Sequence, residues 1–203
     1  MRSLSLSLAA VAEDSSVVVE GLKLFKSFEK PSDLAPDIRS IVYFIGVRYG
    51  ASDDFEKLIK LHNSLTNADE IDEVAAELTA TREPERAVRL LKMLKTDVRT
   101  QDLPHWMAWL MRNRYSTDIA WGWLQNNWQW IEDKYASDKS FDYFPRYAAM
   151  NFSYPKQLKE FRAFFEPKNE LALKRAVELG VEEIQGRIAW RTKNEAAVKA
   201  WLG

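Results

Sequence analysis

The stretch that decides the fold is SDDFEKLIKLHNSL, residues 52–65. Its apolar residues, beginning with Phe55, recur at spacings of three and four, which is the period of one face of an α-helix. Ser52 stands where a helix cap is expected, since its hydroxyl can accept hydrogen bonds from free amide groups of the first turn. Asp53 and Asp54 follow where the helix dipole favours negative charge. This stretch therefore predicts an amphipathic helix.

The same pattern continues on the C-terminal side. In NADEIDEVAAEL, residues 67–78, Asn67 is predicted to cap a second helix. TREPERAVRLLKML, residues 81–94, has an early proline, Pro84, and then a third apolar stripe. Turn signals recur in this way along the whole chain, and strand-type alternation is nowhere sustained. We therefore predict an all-α protein of about eleven helices.

The helices recur in pairs, but the spacing follows no strict sequence period. Tetratricopeptide and ankyrin arrays have tighter signatures, so the pattern favours a HEAT-like α-solenoid of paired antiparallel helices. No long linker or low-complexity tract interrupts the chain. We predict a single helical domain over residues 1–203.

Composition excludes several classes of function. The chain has 203 residues, 29 Lys plus Arg against 30 Asp plus Glu, two histidines and no cysteine. A net charge of −1 provides no excess of positive charge for binding nucleic acid. Without cysteine the chain forms neither a thiolate metal site nor a disulfide. Residues 1–12 resemble a secretory signal peptide in their apolar character, but serines interrupt the apolar stretch. No continuous apolar stretch is long enough to cross a membrane. We expect a cytoplasmic protein that binds neither nucleic acid nor membrane.

Four tryptophans lie within residues 121–130. Trp121, Trp123 and Trp128 are expected to be mostly buried, because large aromatic side chains at helical spacing fill the gaps between packed helices. Asn127 is expected to bond a neighbouring turn. A third, less favoured hypothesis treats the indoles as a platform that stacks sugars or bases, and it predicts exposed tryptophans.

The tryptophan segment also carries a resemblance to a known family. Arg-x-Gln-Asp at residues 99–102, Arg-Asn at 112–113 and Ala-Trp-x-x-Leu-x-x-Asn-Trp at 120–128 resemble the C-terminal helical domain of zinc aminopeptidases of the aminopeptidase N family. Leu-x-x-Phe-x-x-Phe-Phe at 158–165 and the tryptophan-containing residues 188–202 resemble the helices that follow in that domain. The sequence most resembles the bacterial branch of the family, and the resemblance spans nearly the whole chain.

The resemblance implies a fragment without catalytic or metal-binding residues. The family binds zinc through His-Glu-x-x-His plus a distal Glu, but His62 and His105 stand far apart, and the family's Gly-x-Met-Glu-Asn element is absent. Zinc is thus expected in the parent's catalytic domain, which would be this chain's partner in the same polypeptide. The helical domain of the family encloses the active-site chamber, limits substrate size and helps to position the peptide. His62 lies on an apolar stripe and is expected to be a partly buried, hydrogen-bonded imidazole.

Five polar residues are candidate contacts for a peptide substrate. Gln101 and Asp102 begin a predicted helix, Arg112 and Asn113 end it, and Arg82 can bind a peptide carboxylate with its planar guanidinium. The alternative is ordinary helix capping by the first four and a solvated turn position for Arg82.

A free-standing HEAT-like scaffold that binds proteins or peptides is the alternative function. An independent solenoid needs a polar capping helix at its start. Residues 4–19 instead supply apolar side chains on more than one helix face, which is typical of a chain cut from a larger protein.

Overall fold

The computed structural model describes residues 2–168 and 171–203. Over these residues the chain forms twelve α-helices and four short 3₁₀ turns, with no strand, so the all-α prediction is confirmed with one helix more than expected. The helices are α1 (Arg2–Val11), α2 (Ser15–Ser27), α3 (Arg39–Tyr49), α4 (Ser52–Ser64), α5 (Ala68–Leu78), α6 (Pro84–Thr96), α7 (Leu103–Arg112), α8 (Thr117–Asn126), α9 (Trp128–Tyr135), α10 (Tyr143–Ala149), α11 (Pro155–Phe165) and α12 (Leu171–Leu202).

The helices form two compact units, which divide between Asp97 and Val98. Unit 1 contains α1 to α6, and unit 2 contains α7 to α12. The HEAT-like solenoid arrangement and the single domain over residues 1–203 stay predictions.

Helix α3 is the centre of unit 1 and packs against α1, α2, α4 and α5. It approaches α2 closely because each helix has a glycine at the crossing. A Cβ on Gly46 would lie 2.2 Å from the ring of Phe25, and one on Gly21 would lie 2.3 Å from Ile45. Both glycines are therefore required by the space between two helices.

The helix starts in unit 1 follow the sequence signals with one correction. Asn67 caps α5 as predicted, since its side-chain oxygen accepts hydrogen bonds from the amides of Asp69 at 2.9 Å and Glu70 at 3.2 Å. The prediction that Ser52 caps α4 is wrong, because the helix begins one residue earlier, with Ala51 as cap. The carboxylate of Asp54, the third helical residue, reaches back and accepts from the Ala51 amide at 2.8 Å.

The end of α2 is held by a lysine from α4. Lys57 Nζ donates to the carbonyl oxygens of Phe25 at 2.8 Å, Lys26 at 3.3 Å and Phe28 at 2.6 Å. The ammonium also lies 4.0 Å from the centre of the Phe28 ring. Burial lowers the pKa of Lys57. The side chain thus satisfies carbonyl groups that the end of a helix leaves without intrahelical partners.

A partly buried acid, Glu77, lies on α5. Burial, together with the nearby Glu73 carboxylate, raises the pKa of Glu77 to about 8. Glu73 is paired with Arg39 of α3 at 3.4 Å, whereas Glu77 forms no hydrogen bond or ion pair among the described residues. Glu77 is therefore mostly protonated at neutral pH.

Helix α12 is the longest element of unit 2, and only its first half is packed. Its buried residues, Leu173, Ala176, Gly180 and Ile184, share one face, and the helix contacts α10 and α11. Arg187 then donates from Nε to the carbonyl oxygen of Phe152 at 2.8 Å. None of the described residues after Ile184 in this helix is buried.

Candidate functional site

The tryptophans of α8 and α9 divide into two environments. Trp121 and Trp128 are each 5% exposed and pack against the phenylalanines of α11. Trp123 and Trp130 are half-buried and meet edge to face, with ring centres 6.0 Å apart. The four indoles therefore do not form one flat, solvent-facing platform.

Asn127 stands between the two helices. Its side-chain Nδ2 donates to the Trp123 carbonyl oxygen at 2.7 Å, four residues earlier. The amide thus ends α8 by satisfying a carbonyl of the last turn, and α9 starts at the next residue.

The candidates at the start of α7 have different surroundings. Gln101 is exposed and forms no hydrogen bond among the described residues. Asp102 is 7% exposed and accepts from Arg99 Nε at 2.5 Å. Asp102 occupies the cap position of α7, but its carboxylate caps no amide group. Tyr135 of α9 donates to the Thr100 carbonyl oxygen, so the whole turn before α7 is fixed by its own neighbours.

The candidates at the end of α7 lie about 15 Å away, because a ten-residue helix rises by that distance. Asn113 ends the helix, and its side-chain oxygen accepts from the Tyr115 amide at 3.1 Å. The last carbonyl groups of α7 are instead satisfied by two buried hydroxyls, Ser116 to Leu110 at 2.7 Å and Thr117 to Met111 at 3.1 Å. Gln101 and Asp102 therefore do not share one local site with Arg112 and Asn113.

Arg112 is exposed and faces α10, a helix in which the sequence predicts no site residue. Burial, the neighbouring Tyr143 and the Asp142 carboxylate raise the pKa of Tyr147, and the charges of Arg146 and Arg112 partly offset this shift. The rings of Tyr143 and Tyr147 lie 5.6 Å apart, and the Arg146 guanidinium lies 6.0 Å from the centre of the Tyr143 ring. We call Arg112, Tyr143, Arg146 and Tyr147 the α7–α10 surface.

The two arginines of the α7–α10 surface form no hydrogen bond or ion pair in the part of the chain that the structure describes. A guanidinium that is not neutralised by its own protein can bind carboxylate or phosphate oxygens, and tyrosine hydroxyls can add hydrogen bonds. The sequence signal that could have identified the α7–α10 surface is the spacing of Tyr143, Arg146 and Tyr147, which share one face of a short helix.

Arg82 lies in unit 1 and is engaged by neighbouring side chains. Its guanidinium contacts the Glu13 carboxylate, lies 3.4 Å from the Tyr49 hydroxyl and stands 4.8 Å from the centre of the Tyr49 ring. Tyr49 in turn donates to the Ala10 carbonyl oxygen at 2.6 Å, at the end of α1. Glu13 has a left-handed φ of 65°, which is unusual for a residue other than glycine. A ligand carboxylate at Arg82 would have to compete with Glu13.

The described residues contain no group of three or more His, Asp or Glu side chains that could hold a metal ion. His62 is buried in unit 1, with Nδ1 3.0 Å from the Asn63 side-chain oxygen, as expected for a hydrogen-bonded core imidazole. His105 is exposed in unit 2 and packs against Trp109. The donor set therefore does not fit a zinc site. Among the helices described, none is both long and apolar enough to cross a membrane.

Comparison with known proteins gives a consistent answer. The sequence profile of the ERAP1-like C-terminal domain matches residues 1–186. Aminopeptidase N of Lactococcus lactis subsp. cremoris (strain MG1363) is 30% identical over 203 residues, which are 98% of this chain and 24% of that protein. Aminopeptidase N of Lactobacillus helveticus is 28% identical over 93% of this chain and 23% of its own length. Endoplasmic reticulum aminopeptidase 1 of Mus musculus is 25% identical over 100% of this chain and 22% of its own length.

This chain spans about a quarter of the length of these relatives. The matched profile covers most of the chain, and the relatives include bacterial aminopeptidases N, so the resemblance seen in the tryptophan segment is confirmed. The chain belongs to the ERAP1-like C-terminal domain family.

Proposed function

We propose that this chain is the non-catalytic C-terminal domain of a cytoplasmic zinc aminopeptidase that releases N-terminal residues from peptides. In this proposal the domain encloses the active-site chamber and helps to position peptides and select them by size. The observation that carries the proposal is the family match over residues 1–186, in a chain only a quarter as long as its aminopeptidase relatives. Zinc and the catalytic residues then belong to the catalytic domain of the same polypeptide, because the described residues offer no fitting donor set.

An apolar face on α1 and α2 supports a partner domain. Leu4, Leu8, Val11 and Val19 are 53% to 62% exposed. Beside them a groove of about 370 Å³ has mostly apolar walls, and Arg2, Ser16 and Glu20 also line it. Clustered apolar residues in water are typical of an interaction surface. About three quarters of each relative lies outside the matched region, so we assign this face to the remainder of the parent polypeptide.

The α7–α10 surface supports a role in peptide positioning. Of the five sequence candidates, Arg112 is the one cation without an ion pair among the described residues, and it has a second arginine and two tyrosines nearby. Such a surface can attract the carboxylate groups of a peptide. Arg82 is the second candidate, with Glu13 as its resident partner. Gln101 remains a candidate as an exposed amide, while Asp102 and Asn113 contribute to the turns at the two ends of α7.

The test uses the longer polypeptide that carries this chain. An aminoacyl fluorogenic amide reports catalysis alone, and a longer peptide also reports contacts far from the scissile bond. We expect Arg112→Ala to raise KM for the longer peptide and to leave hydrolysis of the amide unchanged. Arg114→Ala is the matched control, since Arg114 is exposed nearby but donates to Tyr115 at 2.6 Å. Equal effects on both substrates would contradict a positioning role.

Three further measurements separate this proposal from the free-standing scaffold. We expect Leu8→Glu to lower the melting temperature of the parent, while Leu171→Glu, at a position 89% exposed, has no effect. The chain alone, with zinc added, should not hydrolyse either substrate. If deletion of this chain changes neither the stability nor the peptide-length preference of the parent, the scaffold hypothesis takes first place.

A further inference from the structure

The hydroxyl group of Thr117 lies where the end of α7 meets the start of α8. Thr117 is the first residue of α8 and is 5% exposed. Its Oγ1 lies within hydrogen-bond distance of two carbonyl oxygens, that of Asn113 at 2.9 Å and that of Met111 at 3.1 Å. These two residues stand on either side of Arg112. One buried hydroxyl therefore holds the backbone on both sides of the arginine that the proposed function uses.

The same hydroxyl oxygen accepts a hydrogen bond from the α10 side of the surface. Asn151 Nδ2 donates to Thr117 Oγ1 at 3.0 Å. A hydroxyl has one hydrogen to donate and lone pairs that accept, so it can bond the α7 carbonyl groups and the Asn151 amide at the same time. Asn151 follows Tyr147 by four residues, in the turn after α10. Thr117 and Asn151 thus form a continuous link between the backbone at Arg112 and the end of α10.

The turn that carries Asn151 is itself fixed. Arg187 of α12 donates to the Phe152 carbonyl oxygen at 2.8 Å and also to the Ala149 carbonyl oxygen, so it binds the backbone on both sides of Asn151. Phe152 is fully buried and packs edge to face on Trp121, with ring centres 5.5 Å apart. Asn151 is therefore anchored to the core of unit 2.

Capping the end of α7 does not require this link. The neighbouring hydroxyl of Ser116, which is fully buried, donates to the Leu110 carbonyl oxygen at 2.7 Å and forms no bond to α10 among the described residues. Thr117 could end α7 in the same way, without Asn151. A hydrogen bond that joins two helices fixes their relative position, because breaking it leaves a partly buried amide or hydroxyl without that partner. The link therefore has a geometric consequence for the helices that carry the α7–α10 surface.

We propose that Thr117 and Asn151 are positioning residues of the α7–α10 surface. Their hydrogen bond sets the place of Arg112 relative to two residues of α10, Arg146 and Tyr147. Both arginines are exposed, so a peptide carboxylate meets two guanidinium groups at the right spacing only when the backbone beneath each of them is fixed. The role in peptide binding rests on the proposed function, whereas the link between the helices does not.

Kinetics of the longer polypeptide that carries this chain test the role in binding. We expect Asn151→Ala and Thr117→Val to raise KM for the longer peptide by about two- to fivefold, which is the range that an exposed ion pair contributes. The kcat and the hydrolysis of the aminoacyl amide should not change. Thr117→Ser keeps the hydroxyl group and should keep the KM of the wild type.

Two comparisons separate positioning from a loss of stability. Asn127→Ala removes a similar bond, from Nδ2 to the Trp123 carbonyl oxygen at 2.7 Å, at the end of α8, and it should leave KM unchanged. Asn151→Ala should add nothing to the KM of an Arg112→Ala variant, since both substitutions act through the same guanidinium. A KM that rises as much in Asn127→Ala, or that rises again in the double variant, would overturn the positioning role.

The link is also measured without substrate, on the 203-residue chain. The charges of Arg146 and Arg112 partly offset the raised pKa of Tyr147. When Asn151→Ala releases the end of α7 from α10, Arg112 moves away, and the pKa of Tyr147 should rise further, as followed by NMR of isotope-labelled tyrosine. Asn127→Ala should leave this pKa unchanged. An unchanged pKa in Asn151→Ala would overturn the proposal, and so would a fall, which would mean only that Tyr147 is more exposed to water.

The two readouts distinguish failure of this inference from failure of the proposed function. If Arg112→Ala raises KM for the longer peptide and Asn151→Ala does not, the positioning role is overturned and the binding surface stands. If Arg112→Ala itself leaves KM unchanged, the α7–α10 surface does not position the peptide. The pKa of Tyr147 then decides alone whether Thr117 and Asn151 hold Arg112 in place.

Discussion

Glu77 makes the stability of unit 1 depend on pH. Its carboxyl group is desolvated on α5, close to Glu73, and no cation pairs with it among the described residues. Of the two arginines of α3, Arg39 is engaged by Glu73, and Arg48 donates to the Ala80 carbonyl oxygen at 3.1 Å. Ionising Glu77 in the folded state therefore places a second negative charge beside Glu73 without an ion pair of its own among the described residues. We expect Glu77→Gln, which keeps the shape and removes the titration, to stabilise the chain at high pH.

The sign and size of the effect follow from the two pKa values. The pKa of Glu77 is about 8 in the folded chain against an ordinary value of 4.5, so the folded state holds a proton that the unfolded chain has released. Its contribution is fully present below pH 4.5 and is lost as the pH rises through 8. Each pH unit between these two pKa values lowers the free energy of unfolding by about 1.4 kcal/mol. Between about pH 5.5 and 9 the total loss amounts to about 3 kcal/mol. Because part of the Glu77 side chain keeps contact with water, we expect the measured loss in the free energy of unfolding to be about 2 to 3 kcal/mol.

Urea unfolding of the wild type and Glu77→Gln across this pH range measures the effect. The difference in the free energy of unfolding between the variant and the wild type should grow in favour of the variant up to pH 8 and then level off. Glu85→Gln, at an exposed position on α6, is the matched control and should show a difference that does not change with pH. A pH-independent difference for Glu77→Gln as well would refute the reasoning, since it would mean that the carboxylate finds solvent or a cation in the folded chain.

Three further substitutions test the packing, with urea unfolding as the common measurement. Trp121→Ala should cost about 3–5 kcal/mol because it empties a buried aromatic site, whereas Leu171→Ala, at a position 89% exposed, should cost under about 0.5 kcal/mol; equal costs would contradict the core assignment. Gly46→Ala should cost about 1–3 kcal/mol, since its Cβ would lie 2.2 Å from an aromatic ring of α2, and Gly122→Ala, with nothing within 4 Å, should not destabilise. Lys57→Met should cost about 1–3 kcal/mol by leaving three carbonyl groups at and just after the end of α2 without their donor, and an unchanged stability would mean that water replaces the ammonium.

Helix positions were predictable from the sequence because apolar spacing and cap residues are local properties. Asn67 and Pro84 mark the starts of α5 and α6 as the sequence indicates. The residue type of Ser52 predicts a cap, but the helix begins at Ser52 itself, and Ala51 occupies the cap position. Only the position of the first helical turn decides which residue stands there. Local signals therefore predict that a helix begins, and the geometry decides which side chain caps it.

The environments of the tryptophans could be predicted only in part. Large aromatic residues at helical spacing predict that Trp121, Trp123 and Trp128 are buried, but the spacing does not tell how many helices cover each side chain. Trp123 is half-buried, because it meets Trp130 at the edge of the packing instead of the phenylalanines of α11. Lys57 had no sequence signal at all, since its partners are backbone carbonyl groups about thirty residues earlier in the chain.

The candidate site shows the same limit. A polar residue at a helix end has the same sequence signature whether it binds a ligand or stabilises the chain, and what separates the two is whether its charge is already neutralised. Asp102 pairs with Arg99, and Arg82 pairs with Glu13, whereas Arg112 has no ion pair among the described residues. A ligand at Arg82 must displace a carboxylate, while one at Arg112 displaces no resident ion pair. Substitution of Arg112 should therefore affect peptide binding more than substitution of Arg82. The reverse order in KM for the longer peptide would show that Glu13 is released when substrate binds.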